Sequence, residues 1–338
     1  MTLQTNWAVS VDGQNVTAKM QPFLQSVSVT DKAGASSDSC SLELNDKDGR
    51  LRLPQPGGQV SVRLEGVKVF TGVVDSVKSS GSRSSGRVIN VSAKGFDVAG
   101  PAKEPQLFHQ DDGTVGDFLK KLGEKAGFKM KVDPVLAKIA RDYFVADGES
   151  FLHMGEKLAR ELGGTFKLRG EEAVFAKMGQ DAGLPTIAGL FAPGSGGNLI
   201  SWDIEPISTR QTFRDVAVRY HDRKSGQIRT HTQTTGKPGE RAKAVNLVRS
   251  VARDEGHARD IAEGRVMDIE RNGGEGTVTL DLTPDAQAEA LFSLSGTRSG
   301  VDGTYRIDSV THTASRGGGA TTRLSLKQPQ DGAGEDNR

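Results

Sequence analysis

Histidines, paired carboxylates, one thiol and a serine in a glycine-rich loop are the residues through which this chain could do chemistry, and their spacing serves none of it. The histidines (His109, His153, His221, His231, His257 and His312) show neither HxxxH nor HExxH spacing, so no helical zinc site is formed. His221 and His231 could face each other across a hairpin as a metal pair, but in polar strands such residues read as surface histidines. There is no GxSxG elbow, and Ser195, in PGSGG, lies in a loop rather than between a strand and a helix. Walker and GxGxxG loops are absent. Glu156 and Glu161 share a helix with Lys157 and Arg160; paired carboxylates serve glycosidases, yet here the pattern reads as a solvated charged face. Cys40 sits in an alternating strand and reads as a small buried hydrophobe. The basic residues from Arg210 to Arg271 are interleaved with Asp and Glu and lack the aromatics that stack bases, so no nucleic-acid recognition is expected. No catalytic, cofactor-binding or metal residue is assigned, no cofactor is expected, and the chain reads as a non-enzyme.

The elements around these residues are mostly strands. In the 338 residues, apolar types make up 35% and aromatics 5%, while glycines number 42, a mix that fits a loop-rich β protein stabilised further by self-association. Net charge is +1, which steers the chain towards no polyanion. The first residues lack the basic and apolar regions of a secretory signal, and no stretch is apolar enough to span a membrane; a soluble protein kept in a cytoplasm-like compartment is expected. Alternation predicts strands over 7–11, 23–30, 39–46, 59–66 and 68–77. The period then changes: Thr114 caps a helix carrying Val115, Phe118, Leu119 and Leu122, and Ser150 caps a second carrying Phe151, Met154, Leu158 and Leu162. Short strands at 165–169 and 172–176 complete a helix–helix–hairpin module. After a Gly/Pro-rich linker, strands resume at 199–208, 213–222 and 227–235. An exposed loop at 237–246, a third helix over 254–271 and strands at 276–283 and 291–295 follow.

Two stretches repeat one pattern. FTGVVDSV (70–77) leads through SSGSRSSGR to VINVSAK (88–94), and GTYRIDSV (303–310) leads through ASRGGGATTR (314–323) to LSLK (324–327). Each has an aliphatic residue, Asp-Ser-Val, a Gly-rich reversal and a strand ending in Lys, which implies a duplicated antiparallel β unit. A trimer with two copies per chain would present six similar units in a ring. The fold class predicted is mainly β with α+β insertions: two similar antiparallel β-barrel units per chain plus helix-hairpin modules. The expected domains are a first β-barrel unit (1–100), the helix–helix–hairpin module (101–178), a linker (179–198), a second β-barrel unit split into 199–236 and 275–327, a loop-helix insertion (237–274) and a disordered tail (328–338).

The order of these pieces resembles the late control protein D family of contractile-tailed phages, baseplate hub proteins related to the N-terminal part of type VI secretion spike proteins. The resemblance runs through SCSLELNDKDGRLRLPQPGGQVSVRLEG (39–66), TVGDFLKKLGEKAGFKMKVDP (114–134), ESFLHMGEKLARELGGTFKLRGEEAVFAK (149–177), LISWDIEPIS (199–208), VAVRYHDRKSGQIR (216–229) and VDGTYRIDSVTHTASRGGGATTRLSLK (301–327). It covers about nine-tenths of the chain by its order and spacing. It implies a homotrimer whose β-barrels form a pseudo-sixfold ring joining a hexameric tail tube protein to a trimeric central spike protein. Tape-measure protein and baseplate wedge are further partners, and the place is the virion tail baseplate, assembled in the host cytoplasm. A tailocin or type VI-like machine, and a tail-tip wall hydrolase, are the alternatives. No spike or lysozyme-like segment follows 327, so a separate spike is expected. The hairpin tips, with Arg83, Arg87, Arg316 and Arg323, are the candidate tube contacts; solvent-exposed tips are the plainer reading.

Overall fold

Aliphatic residues at every second position build the first unit. The computed structural model describes residues 5–34, 37–84, 86–179, 183–194, 196–208, 213–236, 242–336 and 338. Its first elements are β1 (Trp7–Val11), β2 (Gln14–Asn15), α1 (Thr17–Met20), β3 (Leu24–Lys32), β4 (Ser39–Asn45), β5 (Gln59–Leu64), β6 (Val67–Ser82) and β7 (Gly86–Lys94). Asp12-Gly13 and Glu65-Gly66 each place two successive residues at positive φ, the geometry of a tight two-residue hairpin turn. Val27, Val29, Leu42, Val60, Val62, Val74, Ile89 and Val91 point to one side and form the core of this unit.

The middle module comprises β8 (Pro105–Thr114), α2 (Val115–Lys125), β9 (Lys129–Val132), α3 (Pro134–Ala137), β10 (Ala140–Ser150), α4 (Phe151–Leu162), β11 (Gly164–Arg169) and β12 (Glu172–Lys177). Thr114 caps α2 by accepting from the Asp117 N–H at 3.2 Å, and its hydroxyl donates to the Asp117 carboxylate at 2.8 Å. Ser150 caps α4, and Gly163 closes it at φ +61°. Phe118 stacks on Phe144 and Phe151 meets Phe166 edge-on inside this core. The sequence reading missed the two-stranded β8–β10 ribbon, because HQDDG is polar throughout and the run Tyr143–Ala146 puts apolar residues on both faces, so neither strand alternates.

The remaining elements are β13 (Ile187–Leu190), β14 (Leu199–Glu205), β15 (Asp215–Asp222), β16 (Gln227–Thr234), β17 (Val245–Ala252), α5 (Glu255–Arg271), β18 (Glu275–Asp281), β19 (Leu291–Ser295), β20 (Gly303–Ser315) and β21 (Gly319–Gln330). Two expectations change here. The strands at 213–222 and 227–235, assigned from sequence to the second β unit, instead form a separate sheet, β16-β15-β17, with Val216, Val218 and Tyr220 packed on Ala258, Ala262 and Val266 of α5. The inserted segment therefore runs from β14 to β18, and part of the loop expected at 237–246 is β17; residues 237–241 lie outside the described residues. The tail expected to be disordered from 328 continues β21 to Gln330, after which the Gly334 N–H donates to the Gly300 carbonyl at 2.9 Å and Ala333 packs on the second β core. Positive φ at Gly332 and Gly334 lets the chain turn back to make these contacts.

Strand pairing exposes the duplication. One unit has the order β3-β4-β7-β6-β5, with β1 and β2 added beyond β5, and the other β14-β18-β21-β20-β19, with β13 added beyond β19. In β6, Val74 faces Ala93 and Ser76 faces Ser92, so Asp75 is a bulge; in β20, Ile307 faces Leu326 and Ser309 faces Ser325, so Asp308 is the same bulge. A second irregularity matches as well: Gln25 is skipped between Leu24 and Ser26 against β4, and Ile200 between Leu199 and Ser201 against β18. The units are also joined to each other. From Ser309 to Ser315, β20 leaves β19 behind and pairs antiparallel with β3, from Lys32 to Ser26. Both units thus belong to one 13-stranded sheet.

Candidate assembly interface

The fold keeps apart the two histidines weighed as a metal pair. His221 lies opposite Ile228, and His231 opposite Val218, so the two histidines do not face each other. Burial pushes the Cys40 thiol up to about 12, which leaves it neutral and unreactive. Among the described residues, no three His, Cys, Asp or Glu side chains are grouped to hold a metal ion. Ser195 and Arg210 lie outside the described residues. Glu161 differs from its sequence reading as a solvated charge. It is half-buried between α4 and α5, 3.1 Å from Arg141 Nη1 and 3.4 Å from His257 Nε2. Burial opposes its charge, but the neighbouring His257 imidazole and the Arg141 guanidinium hold its carboxyl down to about 2.

Ion pairs hold the inserted modules to the two β units. Lys167 of β11 bridges Asp31 of β3 and Asp38 just before β4, and Arg169 Nη2 reaches Asp38 at 2.9 Å. Burial raises both carboxyls; at Asp31 the Lys167 ammonium and the Ala288 N–H, 3.0 Å away, outweigh it and keep the group ionised. Asp38, beside the Asp31 charge, is held above the ordinary carboxylate range. On the other side, Arg271 at the end of α5 donates to Glu289 at 2.8 Å and to Asp308 at 3.1 Å, with Lys327 Nζ 3.7 Å from Asp308. The bulge that leaves Asp75 exposed in one copy thus turns its counterpart, Asp308, into an anchor for the insertion.

The four arginines proposed at hairpin tips are all exposed but are not equivalent in setting. Arg83 lies in the β6–β7 turn, and Arg87 follows in β7, where its carbonyl accepts from the Asp46 N–H at 3.0 Å. Arg323 lies within β21, between Thr311 and Thr279 of the neighbouring strands, rather than at the tip. Arg316 bridges the two β units: its guanidinium donates to the Gln21 carbonyl, and its N–H donates to the Gln25 carbonyl at 2.9 Å. Sequence reasoning could not find Asp308, Arg271 or Lys167 as joints. The matched Asp-Ser-Val motif was the available signal, and what it marked is a bulge.

With this geometry, the chain has the fold of phage tail and type VI secretion proteins. The tail protein of Neisseria meningitidis MC58 superposes with a TM-score of 0.71 at 19% identity, over 96% of each chain. An Escherichia coli type VI secretion component, c3393, which resembles the T4 tail proteins gp27 and gp5, superposes with a TM-score of 0.58 at 13% identity, over 94% of this chain and 76% of its own. In sequence, the chain is 28% identical over 185 residues to the "Probable baseplate hub protein" of Escherichia phage P2, covering 53% of this chain and 47% of that protein. The similarity to phage baseplate hub proteins seen in the sequence is borne out by this relative, of which the chain spans about half the length. No family model matches the chain.

Proposed function

We propose that this protein is a structural hub of a contractile tail: three copies form a ring of six β units that adapts a sixfold tube to a threefold spike. The observation that carries this reading is the duplication, two units built on the same five-strand order, with matched bulges, joined edge to edge in one chain. Two related units in each of three chains offer six similar surfaces to one neighbour, while the single inserted modules keep threefold character for the other. The fold shared with tail and type VI proteins, and the relationship to the phage P2 hub, support a place in the virion tail and a role without catalysis. The partners in this reading are the tail tube protein, the central spike protein, and tape-measure and wedge components.

Native mass tests it. Light scattering across a concentration series is expected to give three times 36.0 kDa, about 108 kDa, with sixfold modulation in averaged electron micrographs. A monomer at every concentration, both alone and with the spike protein, would overturn the ring.

A further inference from the structure

We propose that the outer half of β6 pairs with β14 of a second copy of this chain, in the register that β20 and β3 use within one chain. Both β6 and β20 are long strands of the same design. Before the bulge each pairs with the next strand of its own unit: β6 with β5 from Val67 to Val73, β20 with β19 from Gly303 to Arg306. Beyond the bulge, β20 is flanked by β21 on one side and β3 on the other. Among the described residues, β6 from Ser76 to Gly81 is flanked by β7 alone, and β14, the counterpart of β3, by β18 alone. Each chain therefore carries one open edge of each kind, and the chain itself displays how the two kinds fit.

Transferring the β20–β3 register fixes every pair. Thr311 faces Thr30, Thr313 faces Ser28 and Ala314 faces Val27. The counterparts are Lys78 facing Glu205, Ser80 facing Asp203 and Gly81 facing Trp202. The side chains suit these positions. Lys78 and Glu205 are opposite charges, where Thr30 and Thr311 share a hydrogen bond of 3.2 Å. Gly81 leaves room for the indole of Trp202, an aromatic covering a glycine across the ladder. Exposure marks the same surface: Trp202 is 38% and Ile200 54% exposed, whereas Val27, at the place of Trp202, is 1% exposed. Arg83 stands where Arg316 stands, so its N–H would meet the Ile200 carbonyl of the next copy, as Arg316 meets Gln25. A polar Ser/Gly edge with Lys78 resists pairing with unrelated strands and waits for this one. The docking is head-to-tail, so it must close or polymerise. The duplication alone carries the ladder; closure at three copies rests on the ring reading above.

Cysteine cross-linking tests it, with buried Cys40 left in place. The expected result is that Ser80→Cys/Asp203→Cys forms disulfide-linked dimers and trimers on oxidation, reversed by reductant, and that co-expressed chains carrying one substitution each form a linked dimer. Lys78→Cys/Ser201→Cys, four residues out of register and roughly 13 Å apart, is expected to give none. Ser79→Cys/Ile204→Cys repeats the test on the other face of the ladder. A particle of trimer mass with no link in either register-matched pair would overturn the ladder and leave the ring standing. Monomers without links would overturn both.

Discussion

His312 is almost fully buried on β20, with Nδ1 3.0 Å from Thr322 Oγ1. Burial lowers its pKa to about 4, against the opposing pull of an Ala286 backbone hydrogen bond and the charges of Asp31 and Asp285. The folded ring is therefore neutral where the unfolded one, near 6.5, takes a proton. A base whose folded pKa is depressed gives its full stability above 6.5 and loses it as pH falls towards 4. Between pH 7.5 and 5 the loss from this residue is about 2 kcal/mol. Glu161 does not obscure it, since its contribution is lost only below its ordinary 4.5, towards 2. His312→Asn keeps a polar partner for Thr322 and removes the titration. Urea midpoints at the two pH values are expected to converge for this variant; an undiminished acid shift would assign the effect elsewhere.

At the scale of the element, the bulged strand decides what the insertion is fixed to. Arg271→Ala removes the cation between two mostly buried carboxylates, Asp308 and Glu289, and is expected to cost about 3 kcal/mol, softened by Lys327. Arg271→Met with Asp308→Asn and Glu289→Gln, which removes the charges together, is expected to recover much of it. A loss of unfolding free energy below about 1 kcal/mol in urea titrations of Arg271→Ala would show that Lys327 suffices. These joints were not legible in the sequence, because they depend on which strands become neighbours. Alternation revealed β4, β5 and β19, and Thr114 and Ser150 revealed where α2 and α4 start, since both signals are local. VAVRYHD looked like a strand of the large sheet because periodicity names a strand without naming its partner. The repeated Asp-Ser-Val was visible, but its bulge emerges only from the register of the opposing strand, and the same Asp is exposed in one copy and an anchor in the other.

At the scale of the whole molecule, two kinds of joint follow from one duplicated unit. The joint inside the chain, β20 on β3, buries Val310, His312 and Ala314 against Val27 and Val29 and is reinforced by Arg316. The joint proposed between chains uses Val77, Ser79 and Gly81 in those places and buries less apolar surface on that strand, so it is the weaker of the two. It also lacks the help of a covalent chain, and its strength falls as the protein is diluted. In a urea series the ring is therefore expected to come apart before the chains unfold. Native mass would fall to one copy while the far-ultraviolet circular dichroism of the strands persists. The midpoint of the first step would move with protein concentration, and that of the second would not. Trp202 provides an internal reporter, since docking covers it with Gly81 of the next copy; its fluorescence should change with the mass rather than with the circular dichroism, and Trp202→Phe should remove that signal. Loss of mass and secondary structure in one concentration-dependent step would show instead that the β units hold their fold only as a ring.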